Sequence, residues 1–240
     1  MFIRGGKKMF NFRKKEQPTE FENEILKRVS LFYEMYNNIF VNFSNATEKR
    51  EIIKNIYQIL KYDQLPTLYS TLKEQNIDSL KIYRGISAND IESLKTYISD
   101  FIEGNVFYGG RASIYGTGIY TIIDSDSDVA QKYASDGGTN NCGIVIESTM
   151  QPDTKIIKNT EIDPIRNIIF DRLKKIYKSG TENFLAVLED DGALASILGY
   201  DAILVNEKNY LVILNRTKMI VNDININEQI NSIDNKHPKL

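Results

Sequence analysis

The chain changes character at Leu80, and this change constrains its fold more than any other feature. Between Thr19 and about residue 76, apolar residues recur at steps of three and four, a spacing typical of amphipathic helices. From Leu80 to Val221, short apolar runs bounded by glycines are interspersed with helical segments. Some of these runs are separated by turns rather than helices, so we expect an α+β fold with mixed or antiparallel sheets, preceded by an α-helical N-terminal lobe.

The first predicted helix begins at Thr19, because Thr19 and Glu22 fit a capping box. A second helix is predicted from Asn45 or Thr47, and a third from Pro66, since proline suits a first helical turn. We divide the chain into a basic flexible arm (1–18), the helical lobe (19–79), a mixed domain (80–221) and a polar C-terminal tail (222–240).

The mixed domain contains several predicted strands and a long predicted helix near its end. The strands are expected at residues 80–85, 119–123, 143–148, 154–157, 201–205, 210–214 and 219–221. Thr181 is expected to cap a helix that continues to about Leu198, where Gly199 ends it. This region is large enough to form a hydrophobic core without disulfides or structural metals.

The rare residue types exclude several kinds of chemistry. The chain has one cysteine, Cys142, and one histidine, His237, close to the end of the sequence. An intrachain disulfide is therefore impossible, and we expect neither a metal site nor a catalytic triad that needs imidazole on a rigid element. Any chemistry must use arginine, tyrosine, acidic, amide or hydroxyl side chains and the backbone.

Charge and hydropathy restrict the partners and the location. The net charge of −2 is not typical of a nucleic-acid-binding protein. Contact with nucleic acid is expected only through residues 1–15, which contain six basic residues and no acid. The sequence has no apolar run that could span a membrane and no recognisable secretory signal. We therefore expect the protein in a cytoplasm, either that of the producing cell or that of a target cell.

Two short motifs have features of a ligand-binding site. Arg84 and Gly85 end a predicted strand, where a guanidinium can bind a diphosphate or a ribose hydroxyl. Gly116 and Gly118 can let the backbone approach a ligand, and Tyr120 on the next strand can stack on a planar group. The two glycines lack the third glycine and the following helix of a dinucleotide-binding fingerprint.

The order of these and other motifs is more specific than any one of them. The segments Ile82–Gly85, Tyr115–Tyr120, Ala130–Tyr133, Gly199–Ile203 and Tyr210–Asn215 together resemble the ADP-ribosyltransferase superfamily. The second segment is similar to the poly-ADP-ribose-polymerase-like branch, whereas the Arg-Gly pair is similar to the bacterial toxin branch. The mixture resembles compact transferases of bacteria and bacteriophages, and it covers roughly residues 80–221.

The resemblance implies split mixed or antiparallel β-sheets around an NAD cleft. It implies a mono-ADP-ribosyltransferase that uses NAD as a substrate, needs no metal, and modifies a macromolecular acceptor, most simply a protein. In this interpretation Arg84 anchors phosphate or ribose, the Gly85 backbone pairs with the nicotinamide amide, and Tyr120 forms a stacking wall. The residues implied to contact NAD are Arg84, Gly85, Tyr115, Gly116, Gly118, Tyr120 and Tyr133.

The sequence departs from the superfamily at the catalytic glutamate, which stands just before the final strand pair. Asn209 occupies this position, and Glu207 lies two residues earlier. Asparagine can bind a ribose hydroxyl, but it brings no negative charge to the developing cation. Three interpretations stay open: Glu207 takes the role, Glu147 reaches the site from a central strand, or the enzyme is slow or inactive. With Asn209 in this position, a single transfer is expected rather than chain elongation.

Two other functions compete with mono-ADP-ribosyl transfer. Gly109, Gly110 and Arg111, followed by Gly116 and Tyr120, also resemble RES-type toxins that degrade NAD. The second competitor is a catalytically silent binding module or virion component that keeps the fold without the glutamate. Free ADP-ribose without protein labelling favours the toxin, and NAD binding without turnover favours the silent module.

Overall fold

The computed structural model describes residues 19–72, 80–103, 114–123, 127–135, 142–177, 181–205, 207 and 209–236. The predicted basic arm and the Gly109–Arg111 motif lie outside these residues. The helices are α1 Glu20–Tyr36, α2 Ala46–Leu60, α3 Ile91–Glu103, α4 Ser127–Ser135, α5 Asn159–Ile176, α6 Glu182–Leu188, α7 Asp191–Ile197 and α8 Asp223–Lys236. The strands are β1 Thr67–Leu68, β2 Lys81–Ala88, β3 Ile119–Ile123, β4 Cys142–Met150, β5 Ile156–Lys158, β6 Ala202–Val205, β7 Tyr210–Ile213 and β8 Met219–Val221.

The described strands form one mixed sheet of eight strands in the order β1-β8-β4-β2-β3-β7-β6-β5. The β1–β8 and β5–β6 pairs are parallel, and the other pairs are antiparallel. The α+β class with mixed pairing is therefore confirmed. The expectation of split sheets is corrected, because hydrogen bonding between β2 and β3 joins the two halves into one sheet.

The junction between β2 and β3 is the shortest contact between long neighbouring strands. Its ladder contains only the pairs Ile82–Ile123 and Tyr83–Ile122. In contrast, β2 pairs with β4 along all eight of its residues, and β3 pairs with β7 at four positions. Beyond Tyr83, β2 therefore follows β4 while β3 follows β7, and the two central strands separate.

The N-terminal helices pack into the same hydrophobic core as the sheet. Thr19 caps α1 through the predicted capping box. Buried residues of α1 and α2 belong to one cluster with those of α5, α6, α7 and the strands. The third predicted helix is absent from the described residues, because Thr67 and Leu68 pair with β8 as β1 and a short 3-10 turn follows. The proposed boundary between residues 79 and 80 stays a prediction.

Two further elements differ from the sequence-based expectations. The single helix expected from Thr181 to Leu198 is divided into α6 and α7, because the Asp190 carboxylate caps α7 by accepting from the Ala193 N–H. The predicted polar tail forms α8, which packs against β4. Its apolar residues Ile226, Ile230 and Ile233 contact the core at helical spacing.

Helix α4 packs directly on β2 and β4 because two glycines leave space for its backbone. A Cβ atom on Gly85 would lie 2.1 Å from the Ala130 carbonyl oxygen, and one on Gly143 would lie 1.7 Å from that of Ala134. Both distances are far below van der Waals contact, so any side chain larger than hydrogen would displace α4. The helix that covers the β2–β3 junction is therefore positioned by glycines in the neighbouring strands.

We predict that Gly143→Ala lowers the free energy of unfolding by about 1–3 kcal/mol, because the added methyl group overpacks the α4–β4 contact. Urea denaturation followed by circular dichroism measures this change. The matched control is Gln131→Ala on the exposed side of α4, for which we expect a change within about 0.5 kcal/mol. Equal stabilities of Gly143→Ala and the wild type would contradict the close approach of α4.

Candidate functional site

Arg84 and Tyr120 lie together at the point where β2 and β3 separate. The Nη1 atom of Arg84 donates a hydrogen bond to the Tyr120 carbonyl oxygen at 2.9 Å. The guanidinium carbon lies 5.8 Å from the ring centroid of Phe101 on α3. The predicted proximity of Arg84 and Tyr120 is therefore present in the structure, but the contact uses the Tyr120 backbone and not its ring.

The direction of the hydrogen bonds along β3 explains this contact. The Ile123 N–H donates to the Asn209 carbonyl at 2.9 Å and thus points toward β7. Backbone groups of successive residues in an antiparallel sheet alternate between the two neighbouring strands. The N–H and C=O groups of Ile122 therefore point toward β2, and so do those of Tyr120. The ladder between β2 and β3 does not include Tyr120. The Tyr120 carbonyl therefore accepts a hydrogen bond from the Arg84 side chain.

The same alternation on β2 directs the backbone of Gly85 toward β3. The Met150 N–H donates to the Leu80 carbonyl at 2.9 Å, so even-numbered residues of β2 bond to β4. Gly85 is odd-numbered, so its N–H and C=O point away from β4 and toward β3. The partner of Gly85 on β4 is Val145. The Val145 N–H donates to the Gln229 side chain of α8 at 3.3 Å, and the Val145 C=O accepts from it at 3.2 Å, so the backbone groups of this pair do not bond to each other.

The N–H and C=O of Gly85 therefore point into the space beyond the last β2–β3 ladder pair. We call this space, which lies between Gly85 and Tyr120, the β2–β3 gap. A strand edge that is not paired presents one hydrogen-bond donor and one acceptor side by side. The gap consequently offers the two groups that an amide needs for pairing, next to the Arg84 side chain.

Arg84 is a buried cation whose hydrogen-bonding capacity is only partly used. Burial lowers the pKa of its guanidinium, because removal from water disfavours the charged form. Its Nε atom is buried and has no hydrogen-bond partner. A buried charge that lacks partners is costly for a folded protein. The Nε of Arg84 can donate one further hydrogen bond, so Arg84 is a candidate to bind an acceptor.

The Tyr120 hydroxyl closes the turn that precedes β3. It accepts a hydrogen bond from the Tyr115 N–H at 3.0 Å and donates one to the Gly116 carbonyl at 2.9 Å. Burial raises the pKa of Tyr120 to about 12, so the phenol stays neutral and can keep donating. The structure thus assigns the hydroxyl a role in turn geometry, while stacking by the ring stays a prediction.

The two glycines of the turn approach protein neighbours. Gly116 has a φ of +87°, and a Cβ atom there would lie 2.1 Å from the backbone nitrogen of Gly192 in α7. A Cβ atom on Gly118 would lie 2.7 Å from Cγ1 of Val212 in β7. Both residues must be glycine because the turn packs against α7 and β7. The prediction that they approach a ligand is not needed to explain them.

Tyr133 and Tyr210 meet at the edge of α4. Their hydroxyl oxygens are 3.4 Å apart, and the Tyr133 side chain is about half exposed. The hydrogen bond with Tyr133, followed by burial, raises the pKa of Tyr210 to about 12. Since the Cβ atom of Tyr133 also lies near the position that a side chain on Gly85 would occupy, this pair connects the gap with β7. The sequence motifs mark Tyr133 as a candidate site residue, but not Tyr210.

Asn209 and Glu207 lie in the turn between β6 and β7. Asn209 has a φ of +51°, a left-handed conformation that asparagine adopts more readily than glutamate. Its carbonyl binds Ile123, at the end of β3 opposite to Tyr120. Both side chains are exposed. The asparagine at the expected glutamate position therefore has a backbone explanation, and the catalytic roles of both residues stay predictions.

Glu147 lies on β4 directly opposite Tyr83. Side chains alternate along a strand, so Glu147 lies on the same face of the sheet as Gly85, two residues beyond Tyr83. Its carboxylate forms an ion pair with Lys81 at 3.7 Å. Glu147 thus shares a face of the sheet with Gly85 and is paired with Lys81, and its catalytic role stays a prediction.

Two residues that the sequence motifs do not mark, Tyr57 and Asp190, hold the turn. The Tyr57 hydroxyl donates to the Thr117 carbonyl at 2.5 Å. The Asp190 carboxylate accepts from the Thr117 N–H and from its hydroxyl, the latter at 2.8 Å. The Asp-Asp-Gly run at Asp190 was a signal for a helix start. No local signal marks Tyr57, because its position in α2 is that of an ordinary core residue.

The described residues contain no group of three or more histidine, cysteine, aspartate or glutamate side chains that could hold a metal ion. Within the same ranges, no helix combines the length and the hydropathy needed to cross a membrane.

Comparisons with known proteins give no match. No protein-family model, no curated protein and no solved structure matches the chain.

We predict that the protein loses stability as the pH rises from about 10 to about 12. The pKa values of Tyr62, Tyr120 and Tyr210 are each raised to about 12, compared with about 10 in an unfolded chain. The folded state holds these protons more tightly, so this contribution is complete below pH about 10 and is lost as the pH approaches 12.

Chemical denaturation at several pH values measures this loss. In Tyr120→Phe one of the three contributions is removed, so we expect a shallower decline with pH. The control is Tyr97→Phe, an exposed position on α3, which should decline as steeply as the wild type. If stability declined as steeply in Tyr120→Phe as in the wild type, this would contradict the raised pKa of Tyr120.

Proposed function

We propose that the protein is an NAD-dependent mono-ADP-ribosyltransferase that modifies a protein or another macromolecule. One feature of the sheet carries the proposal: the alternation of backbone groups along β2 directs the N–H and C=O of Gly85 into the β2–β3 gap. A carboxamide has one carbonyl acceptor and an NH₂ donor on the same carbon. It can therefore pair with one strand residue as a neighbouring strand would, with both hydrogen bonds formed at once.

The buried charge of Arg84 favours a ligand that carries negative phosphates. A dinucleotide with a nicotinamide group combines such phosphates with the carboxamide. One guanidinium nitrogen binds the Tyr120 carbonyl, and Nε is buried without a partner. A diphosphate would provide acceptors and compensate the buried positive charge. The nicotinamide end would then pair with Gly85, while the phosphates lie on the Arg84 side of the gap.

The proposed reaction breaks the bond between C1′ of the ribose and the nicotinamide nitrogen. The electron pair leaves with nicotinamide, a nucleophile of the acceptor forms the new bond to C1′, and its proton passes to solvent. The transition state resembles an oxocarbenium ion, as in glycoside cleavage. Orientation of the two reactants within the gap would supply much of the rate enhancement.

Asn209, which stands at the expected glutamate position, brings no carboxylate to the reaction. A carboxylate about 4 Å from the developing cation contributes at most about 4 kcal/mol at an effective dielectric constant of about 20. This corresponds to roughly a thousandfold in rate. We therefore propose a slow enzyme that makes single transfers, with Glu207 and Glu147 as the two carboxylates to test. A loss of turnover in Glu207→Gln or in Glu147→Gln would identify the group.

The direct test is incubation with NAD labelled in its adenylate part and a cell lysate, together with measurement of released nicotinamide. We expect label on a macromolecule in proportion to the nicotinamide released. Arg84→Lys keeps the positive charge but removes the planar guanidinium, which can donate several hydrogen bonds at once. We therefore expect kcat/KM for NAD to fall at least about tenfold. The control, Arg50→Lys on the exposed surface of α2, should retain wild-type kcat/KM. The absence of both label transfer and nicotinamide release would contradict the proposal.

Selectivity for the carboxamide is a second test. Free nicotinamide should compete with NAD, whereas nicotinate should compete at least about tenfold less well, because a carboxylate has no N–H for the Gly85 carbonyl. Inhibition constants measured at the same pH give this ratio. Equal inhibition by the two compounds would exclude pairing with the Gly85 backbone.

NAD binding without turnover is the second candidate function. It is favoured by Asn209, whose left-handed backbone suits asparagine and whose side chain carries no charge. Tight binding of NAD in calorimetry, together with no released nicotinamide, would support it. Release of free ADP-ribose without any labelled macromolecule would instead support an NAD-degrading enzyme.

A further inference from the structure

We infer that Tyr57 and Asp190 are positioning residues for NAD: they hold the 115–118 turn, and through it Tyr120, in the geometry that the β2–β3 gap requires. The inference rests on the proposed function, since it concerns the same site. It assigns a role in this site to α2, which the resemblance to ADP-ribosyltransferases does not cover.

Tyr57 connects α2 to the turn from inside the core. Its side chain is fully buried, and its ring stacks on that of Tyr62 with 6.4 Å between centroids. The hydroxyl donates to the Thr117 carbonyl at 2.5 Å. A buried tyrosine hydroxyl needs such a partner, so this bond fixes the turn with respect to α2.

Asp190 holds the same residue from the other side. Its carboxylate accepts from the Thr117 N–H at 3.0 and 3.1 Å and from the Thr117 hydroxyl at 2.8 Å. It also caps α7 through the Ala193 N–H at 2.9 Å. Hydrogen bonds to an ionised acceptor are stronger than those between neutral groups. The N–H, C=O and hydroxyl of Thr117 are thus all bound by α2 and α7.

The packing leaves this turn no space to move toward the helices. A Cβ atom on Gly192 would lie 2.2 Å from the Thr117 carbonyl oxygen and 2.7 Å from the Tyr57 hydroxyl. Gly116 is equally close to the backbone of α7. Helix α7 is in turn held to α5 by an ion pair between Asp191 and Arg166. The turn therefore rests on a rigid support.

The turn is linked to the gap through Tyr120. The Tyr120 hydroxyl bonds to Tyr115 and Gly116, the two residues before Thr117. The Tyr120 carbonyl, at the other side of the same residue, binds Arg84. A shift of Thr117 would therefore displace Tyr120 and the wall of the gap opposite Gly85. A displacement that weakens binding of the substrate and of the transition state equally raises KM and leaves kcat nearly unchanged.

Tyr57→Phe tests the inference, because it removes one hydroxyl and keeps the buried ring. We expect KM for NAD to rise at least about fivefold while kcat changes less than about twofold. Hydrogen exchange measured by mass spectrometry should show faster exchange of residues 114–118 by about tenfold. Asp190→Asn, which keeps the shape but removes the charge, should change KM and exchange in the same direction.

The matched control is Tyr177→Phe. Its hydroxyl donates to Glu34 at 2.9 Å and thus also connects an N-terminal helix with the rest of the protein. It has no contact with the turn, so KM and exchange of residues 114–118 should stay at wild-type values. A general loss of stability would accelerate exchange throughout the core, whereas positioning accelerates exchange of residues 114–118 alone.

The outcomes separate this inference from the proposed function. Wild-type turnover with an unchanged KM and unchanged exchange in Tyr57→Phe would overturn the inference and leave the proposed function intact. A wild-type protein that neither binds nor cleaves NAD would overturn both the proposed function and the role of these residues toward NAD. Accelerated exchange without a change in KM would show that Tyr57 supports the turn but does not position NAD.

Discussion

The site depends on the hydrogen bond between the Arg84 guanidinium and the Tyr120 carbonyl. This bond replaces a backbone bond at the position where the ladder between β2 and β3 ends. It holds the two strands in contact after their backbones separate, and it keeps a cation beside the separation. Because Nε of the same side chain has no partner, the bond uses only part of what the guanidinium can bind.

The surrounding elements maintain the separation from both sides. Helix α4 lies against Gly85 and Gly143 so closely that a single methyl group would displace it. On the β3 side, Thr117 is bound by Tyr57 and Asp190, from helices that are distant in sequence. The gap is thus a consequence of packing by α2, α4 and α7, and not of the two strands alone.

Local patterns predicted much of the fold. The capping box at Thr19 and the strand at residues 119–123 were found from the sequence, since each depends on neighbouring residues. The order of the motifs indicated Arg84 and Tyr120 as candidate site residues, and the structure places them in contact. Short apolar runs, interspersed with helical segments and partly separated by turns, were sufficient to predict the α+β class, because both patterns are visible in the sequence itself.

Features that depend on distant residues were not predictable in this way. Thr67 and Leu68 form a strand only because β8 is beside them, and the local signal of Pro66 favoured a helix. The helix expected from Thr181 to Leu198 ends early, because Asp190 binds both α7 and Thr117. The glycines of the turn are explained by α7 and β7, which occupy the space beside them, and their contact with a ligand stays a prediction. Each difference comes from tertiary contacts that overrule local preference.

Amide hydrogen exchange at single-residue resolution, measured by NMR for Tyr83 and Gly85, tests the central claim most directly. Both residues direct their N–H toward β3, but only Tyr83 has a ladder partner there. The account predicts a protected amide at Tyr83, a fast-exchanging amide at Gly85 in the free protein, and slower exchange at Gly85 after NAD is added. An amide of Gly85 that is as protected as that of Tyr83 without NAD, or that does not respond to NAD, would contradict it.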